Sequence, residues 1–329
     1  RLNSSEKTRL VRFGFSDEWE WLAELFDMGF LQMDDKGSIC SPLLLVYRKN
    51  CVKSIVLDNA MGVDDRVIEA VSKAKELEIL DLSADGIMNL HLEPIGKLKN
   101  LQKLKLSNHQ IDYGKSGFLR KLTNLTHLEL GGTSQDDEDL KALKNLKNLK
   151  HIELDFHTTD AGFKHLQHMK KLESIFCLGW DVGSAALKYL RNMKHLKRLR
   201  FHSCRIGDGP LDDLLELPEL EILIISSSHL DDSGLKTISK LKKLRSLTVW
   251  SSQQITDRGV GYLKSLKKLE GLDLRSSSIT DKSIDTLSKL PKLSQFLCGG
   301  TKITKEGKSR LKEINPNFSL QGTVLDVWR

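Results

Sequence analysis

The chain has 329 residues, 39% of them hydrophobic and 29% charged, with only six prolines, so most of it is expected to be ordered, either as two domains or as one elongated array. A net charge of +7 admits an acidic partner, a nucleic acid or an anionic surface, and the placement of the lysines must decide among them. The sequence has no apolar run long enough for a membrane-spanning helix, and its five cysteines lack CxxC spacing, which argues against a dense disulfide framework or a zinc site.

Residues 1–51 read as an N-terminal helical cap. Ser16-Asp17-Glu18 suits a helix start and Gly29 a stop, while Trp19, Leu22, Leu25 and Phe26 fall on one face. The segment is too short to match an adaptor-binding helical domain such as an F-box. Cys40 and Cys51 are near enough in sequence to suggest a bridge.

From Val52 a repeat takes over. After this looser first copy, leucines opening an L-x-x-[LIF]-x-[LFVIC] segment stand at Leu77, Leu101, Leu125, Leu149, Leu172, Leu196, Leu220, Leu244, Leu269 and Leu293, in steps of 23 to 25 residues. The array is read as about eleven units over residues 52–317. In the unit opening at Leu269, Leu272 and Leu274 point inward while Gly271, Asp273 and Arg275 point outward, the alternation of a strand with one buried face. Thr280 suits a helix N-cap and Asp281 the positive end of the helix dipole. Ile284, Leu287 and Leu290 form one apolar stripe, and Pro291 ends the helix. The same grammar recurs at Thr256-Asp257, Asp231-Asp232 and Thr159-Asp160.

These units resemble leucine-rich repeats of the helix-backed "ITD.GL" kind, similar to the arrays of F-box proteins and bacterial leucine-rich-repeat proteins. The ninth position is variable (His109, Thr133, Trp180, Cys204, Ser277, Thr301), unlike the cysteine-containing subclass. The resemblance implies an α/β leucine-rich-repeat solenoid, a horseshoe with parallel strands on the concave face and helices on the convex face. It also implies protein binding as the role. Residues 318–329, with Phe318, Leu320, Val324, Leu325 and Trp328, read as a C-terminal cap laid over the last repeat.

Third, fifth and seventh positions of each unit project from the concave face, and no requirement of the fold fixes their identities. Phe176, Leu178, Ile222, Ile224 and Trp250 put apolar side chains there, interleaved with Arg198, Arg200 and His202. Single exposed apolar residues mean little, but five in four adjacent units resemble an interface hot spot. Trp250 and Ile224 are expected to anchor a partner, with Arg198 and Arg200 pairing with its carboxylates. His127, Glu129, His151 and Glu153 form a secondary polar zone. Metal ligation is one reading of it, but Lys103 and Lys105 flank the carboxylates, and cross-strand charge pairing explains the pattern without a metal.

Lysines such as Lys147, Lys170, Lys243 and Lys267 gather at helix ends and aspartates at helix starts, as the helix dipole favours. Lined up by the repeat, these lysines make an edge able to attract an acidic polymer, although no aromatic-basic interleaving or known motif selects nucleic acid. No phosphate loop, dinucleotide fingerprint, G-x-S-x-G, H-E-x-x-H or EF-hand loop occurs. Cys177 and Cys298 sit at inward sixth positions, and Cys204, in a turn, is the more accessible thiol. The expectation is a non-enzymatic protein-interaction scaffold needing no cofactor and no metal. The alternatives are the substrate-recognition subunit of a ubiquitin-ligase-like assembly, or a binder of acidic polymer through the lysine edge. A cytoplasmic address is the working expectation, with a secreted or anchored form left open because the chain starts at Arg1 and not at methionine.

Overall fold

The computed structural model describes residues 32–33, 39–40, 44–48, 51–56, 64–83, 91–106, 116–133, 136–226, 229–314, 316 and 318–320, with side chains from residue 52 onward. The chain divides into two compact units, residues 1–155 and 156–329, each contributing a run of parallel strands.

In the first unit β1 (Gln32–Met33) and β2 (Ile39–Cys40) pair antiparallel. β3 (Leu44–Arg48) lies antiparallel to β4 (Cys51–Val56). β5 (Ile79–Asp81), β6 (Lys103–Lys105), β7 (His127–Glu129) and β8 (His151–Leu154) then follow in parallel, so that Ser54, Ile79, Lys103, His127 and His151 stand in one row. Within the expected helical cap, residues 44–48 are therefore a strand. The β-prone run Leu-Leu-Val-Tyr satisfies the backbone edge of β4, which a helix would leave unpaired. The helix expected from Ser16 to Gly29 and the side chains of Cys40 and Cys51 lie outside the described residues.

In the second unit β9 (Ser174–Leu178), β10 (Arg198–His202), β11 (Ile222–Ser226), β12 (Ser246–Trp250), β13 (Gly271–Asp273) and β14 (Gln295–Leu297) are parallel and in register, third position beside third position. Beyond β14, Phe318 is buried and Ser319 bridges to Gln295, while residues 321–329 lie outside the described residues. Inward fourth and sixth positions make the core: Leu199, Leu223 and Leu247 in one row, Phe201, Ile225 and Val249 in the next, all fully buried. Each such side chain contributes about 1.5–3 kcal/mol by leaving water. A one-residue slip of any strand would turn these rows outward, so the register is strongly specified.

The backing layer departs from the expectation of a helix in every repeat. Where a side chain caps the first turn, an α-helix forms: α1 (Asp65–Val71) behind Asp64, α2 (Asp232–Ile238) behind Asp231 and α3 (Asp257–Tyr262) behind Thr256. Thr280 caps a single 3-10 turn that runs on into α4 (Ile284–Leu287), and α5 (Lys305–Ile314) closes the described repeats. Where the N-cap is Leu92, Glu138, Ala161, Gly183 or Leu211, with no side-chain bond, only a 3-10 segment forms. There the N-cap residue offers no acceptor and the first amides turn to other side chains, Ser184 to Asp208 and Asp139 to Asp136, so nothing local favours a full α-turn in so short a segment.

The aspartates of the repeat grammar do more than face a helix dipole. Asp232 accepts hydrogen bonds from the Thr256 amide (2.8 Å) and hydroxyl, Asp257 from those of Thr280 (2.9 and 2.7 Å), and Asp281 from those of Thr304 (2.9 and 2.7 Å). Each carboxylate thus staples its repeat to the next. The glycine of the grammar makes room for it, since a Cβ at Gly259 would strike the carboxylate of Asp232, and one at Gly307 that of Asp281. The eighth position takes the left-handed conformation, with Gly132 and Gly300 at φ 73° and 72°, but also Ser203, Ser251 and Ser276 at φ 57°, 60° and 57°.

Candidate functional site

The outward face of β9–β13 brings together every residue of the expected patch. Parallel register sets Arg200 between Phe176 and Ile224, and Arg198 between Ser174 and Ile222. The Arg200 guanidinium lies over the Phe176 ring, 4.4 Å from its centroid. Arg275 lies over the Trp250 ring at 5.0 Å, and its own charge is met by Asp273 at 2.7 Å. The His202 and Trp250 rings are 6.4 Å apart, and the Ser226 hydroxyl reaches His202 Nδ1 at 2.9 Å. Phe176, Leu178, Ile224 and Trp250 are half-buried and available to a partner. Ile222 is different. It is only 7% exposed, and with Ser174 and Ser246 it forms the floor on which larger neighbours rest.

The electrostatics of this face are asymmetric. Burial, and then the nearby Arg200 charge, lower the pKa of His202 below the ordinary imidazole value. The Asp273 bond raises the pKa of Arg275 against the opposing effect of burial. The second-position rim neutralises itself across strands: Glu173 pairs with Lys197, and Arg245 with both Glu221 and Glu270. Among the described residues no carboxylate pairs with Arg200, and its Nε is shut away without a hydrogen-bond partner.

In the first unit the polar zone is assembled as the spacing implies. The His127 and His151 rings stack at 4.2 Å, and His127 Nδ1 is 2.8 Å from the Thr126 hydroxyl. Lys105 reaches Glu129 at 3.2 Å and Asp81 at 3.9 Å. Burial works against its charge, but Glu129, Asp81 and Glu153 outweigh it and raise its pKa. Among the described residues no three His, Cys, Asp or Glu side chains converge to hold a metal. The geometry is that of cross-strand charge pairing.

No family model matches the chain, and no curated protein matches it. Solved structures do. An internalin (InlF) from Listeria monocytogenes superposes with a TM-score of 0.55 at 18% identity, over 92% of this chain and 95% of that one. An internalin C2 from the same organism gives 0.50 at 21% identity, over 60% of this chain and 80% of that one. A plant peptide hormone receptor, RGFR1 in complex with RGF2, gives 0.48 at 15%, over 86% and 55%. The chain is an α/β leucine-rich-repeat solenoid. Among its described residues no helix is long and apolar enough to cross a membrane.

Cys204 and the lysine edge differ from the sequence reading. Cys204, expected to be the accessible thiol, is 1% exposed and directs its sulfur to backbone carbonyls of His202 and Cys177. Cys298 is buried as well, and burial raises its pKa, which disfavours the thiolate a nucleophile needs. The lysine edge is partly neutralised by acids of neighbouring repeats, as in Lys243–Glu219 at 2.5 Å and Lys194–Glu216 at 3.0 Å. Sequence reasoning placed Arg275 and Ser226 at outward seventh positions and Trp180 at a ninth position but left all three out of the patch. The first two complete the seventh-position row with His202 and Trp250, a juxtaposition visible once the repeats are stacked. Trp180, 66% exposed, leaves β9 at the ninth position beside the same patch.

Proposed function

We propose that this solenoid is a non-enzymatic protein-interaction scaffold and that the outward face of β9–β12 receives its protein partner. The observation that carries the reading is the cluster of half-buried Phe176, Leu178, Ile224 and Trp250 around Arg198, Arg200 and His202, four apolar side chains left partly in water at positions the core does not need. Aromatic and arginine side chains of this mixture dominate interface energetics. The repeats are assigned to the helix-backed "ITD.GL" type on Asp231-Asp232, Thr256-Asp257 and Thr280-Asp281, with residues 1–51 and 318–329 as caps of the 52–317 array. The cluster His127, Glu129, His151 and Glu153 is the secondary contact zone. Self-pairing along the rim and the lysine edge speaks against an acidic polymer as the main ligand. The recognition role in a ubiquitin-ligase-like assembly is a narrower form of the same reading, favoured by no particular residue.

The experiment is affinity capture from the native source with the wild type and with Arg200→Ala/Trp250→Ala, the melting temperature of both being measured. A protein held by the wild type and lost by the folded double variant supports the face. The same proteins captured by both, or only nucleic acid released by salt, would refute it.

A further inference from the structure

We propose that the partner enters this face as an extended acidic segment, with one carboxylate received by Arg200 and an apolar side chain three or four residues away resting on Trp250. The proposal deepens the reading above and rests on it. Arg200 stands between Phe176 and Ile224 in the fifth-position row, its guanidinium held over Phe176 at 4.4 Å. Its Nε is buried without a hydrogen-bond partner, and among the described residues no carboxylate answers its charge. Other arginines of the same unit are answered: Arg191 by Asp213, Arg245 by Glu270, Arg275 by Asp273. A guanidinium held over a ring by its carbon can still turn its terminal N–H groups to a two-oxygen acceptor, for which a carboxylate is the matching shape.

Charge on the face points the same way. Glu173, Lys197, Glu221, Arg245 and Glu270 on the rim are mutually paired, and Asp273 is held by Arg275. The formal charges on the outward rows of β9–β12 are Arg198 and Arg200, both positive. The lowered pKa of His202 keeps its ring neutral near pH 7, so it offers an approaching carboxylate a polar contact without adding charge beforehand. A basic segment would be repelled, and a wholly apolar one would cover the Arg200 guanidinium without supplying a counter-charge.

The spacing follows from sheet geometry. From Arg200 on β10 to Trp250 on β12 is two strands across, roughly 9.6 Å, and two residues along, roughly 6.6 Å, or about 12 Å on the diagonal. An extended chain advancing roughly 3.3 Å per residue covers that in three or four residues. Leu178 and Ile224 flank the path and give the intervening side chains apolar ground.

The test is selection of random dodecapeptides displayed on phage against the full chain, with a library of small folded domains panned in parallel. Wild type is expected to enrich peptides sharing an Asp or Glu with an apolar residue three or four positions away. Changing that Glu to Gln in the best synthetic peptide should weaken binding at least tenfold on wild type and less than twofold on Arg200→Gln, whose melting temperature is measured alongside. Enriched peptides without an acid, equal binding of the Gln peptide, or enrichment of no peptide at all would overturn the acidic-segment proposal. So would oligothymidylate that competes off the enriched peptides. If folded domains still bind the wild type and are lost on Trp250→Ala, the face stands and only its occupant is wrong; if every binder ignores both variants, the face itself is refuted.

Discussion

Removing the Asp257 carboxylate tests whether the repeats are held together by the aspartate staple. Its oxygens accept from the Thr280 amide at 2.9 Å, the Thr280 hydroxyl at 2.7 Å and the Ser283 hydroxyl. The Thr280 hydroxyl in turn accepts from the Lys282 amide at 3.2 Å, so losing Asp257 also loosens a helix cap. A hydrogen bond to a charged group contributes about 1.5–3 kcal/mol when well buried, and this site is only part-buried, so water recovers much of it. Asp257→Ala is expected to cost about 2–4 kcal/mol over the three bonds, and Asp257→Asn about half as much. Urea unfolding followed by tryptophan fluorescence measures this, with amide exchange at Thr280 and Lys282 as a local reading because repeat arrays open regionally.

The pH dependence supplies an independent check. Burial opposes the Asp257 charge, but the Ser283 and Thr280 bonds prevail and lower its pKa below the ordinary aspartate value. A carboxylate with a depressed folded-state pKa contributes stability that is present above the unfolded-state pKa of about 3.9 and is lost as pH falls through the folded value. The gap between wild type and Asp257→Ala should therefore be constant from pH 7 to about 5 and close below about 4. A variant within about 0.5 kcal/mol of wild type at pH 7, the usual scatter of inert surface changes, would refute the staple. So would a gap that does not change with acid.

Two further substitutions probe the same construction. Gly259→Ala should destabilise by about 1–3 kcal/mol in urea, because the added Cβ displaces the Asp232 carboxylate; the loss should vanish in an Asp232→Ala background, where nothing is left to displace. Ser251→Gly should be neutral to stabilising by up to about 1 kcal/mol, since Ser251 holds φ 60° without a side-chain bond, and a clear fall in the urea midpoint would show that the left-handed turn carries no strain.

The repeat was legible because its period is nearly constant and parallel strands add without slip. That alone set Phe176, Arg200 and Ile224 side by side and gave Leu199 and Phe201 to the core. Exposure within the outward rows was not legible. Ile222 and Trp250 both face out, yet Ile222 is covered, because coverage depends on which way long neighbours such as Arg198 and Arg200 lie. The division of the backing layer into α and 3-10 segments was partly written in Asp231, Thr256 and Thr280, but the reading extended the same helix to repeats with Ala161 or Leu211 at the cap. The staple was missed because the contact between Asp257 and Thr280 joins different repeats, while within one repeat the recurring Thr and Asp are already accounted for by the cap and the helix dipole.

The core of this solenoid is indifferent to Trp250, and leaving so large a ring half in water wastes apolar area, so its surroundings carry the functional information. Arg275 covers one side of it at 5.0 Å and His202 approaches at 6.4 Å, which restricts the indole before any partner arrives. An anchor fixed in advance loses less side-chain entropy on binding, and that saving appears as affinity. Arg275→Lys separates this effect from simple contact: lysine retains the charge that Asp273 needs but not the flat group that stacks on the ring. Losing the stacking, about 0.5–1 kcal/mol at a partly exposed site, should weaken capture of the partner roughly two- to fivefold with the melting temperature nearly unchanged. Calorimetry would place the loss in entropy if Trp250 is preorganised. An unchanged affinity would mean that Arg275 serves Asp273 alone and that the indole needs no help to present itself.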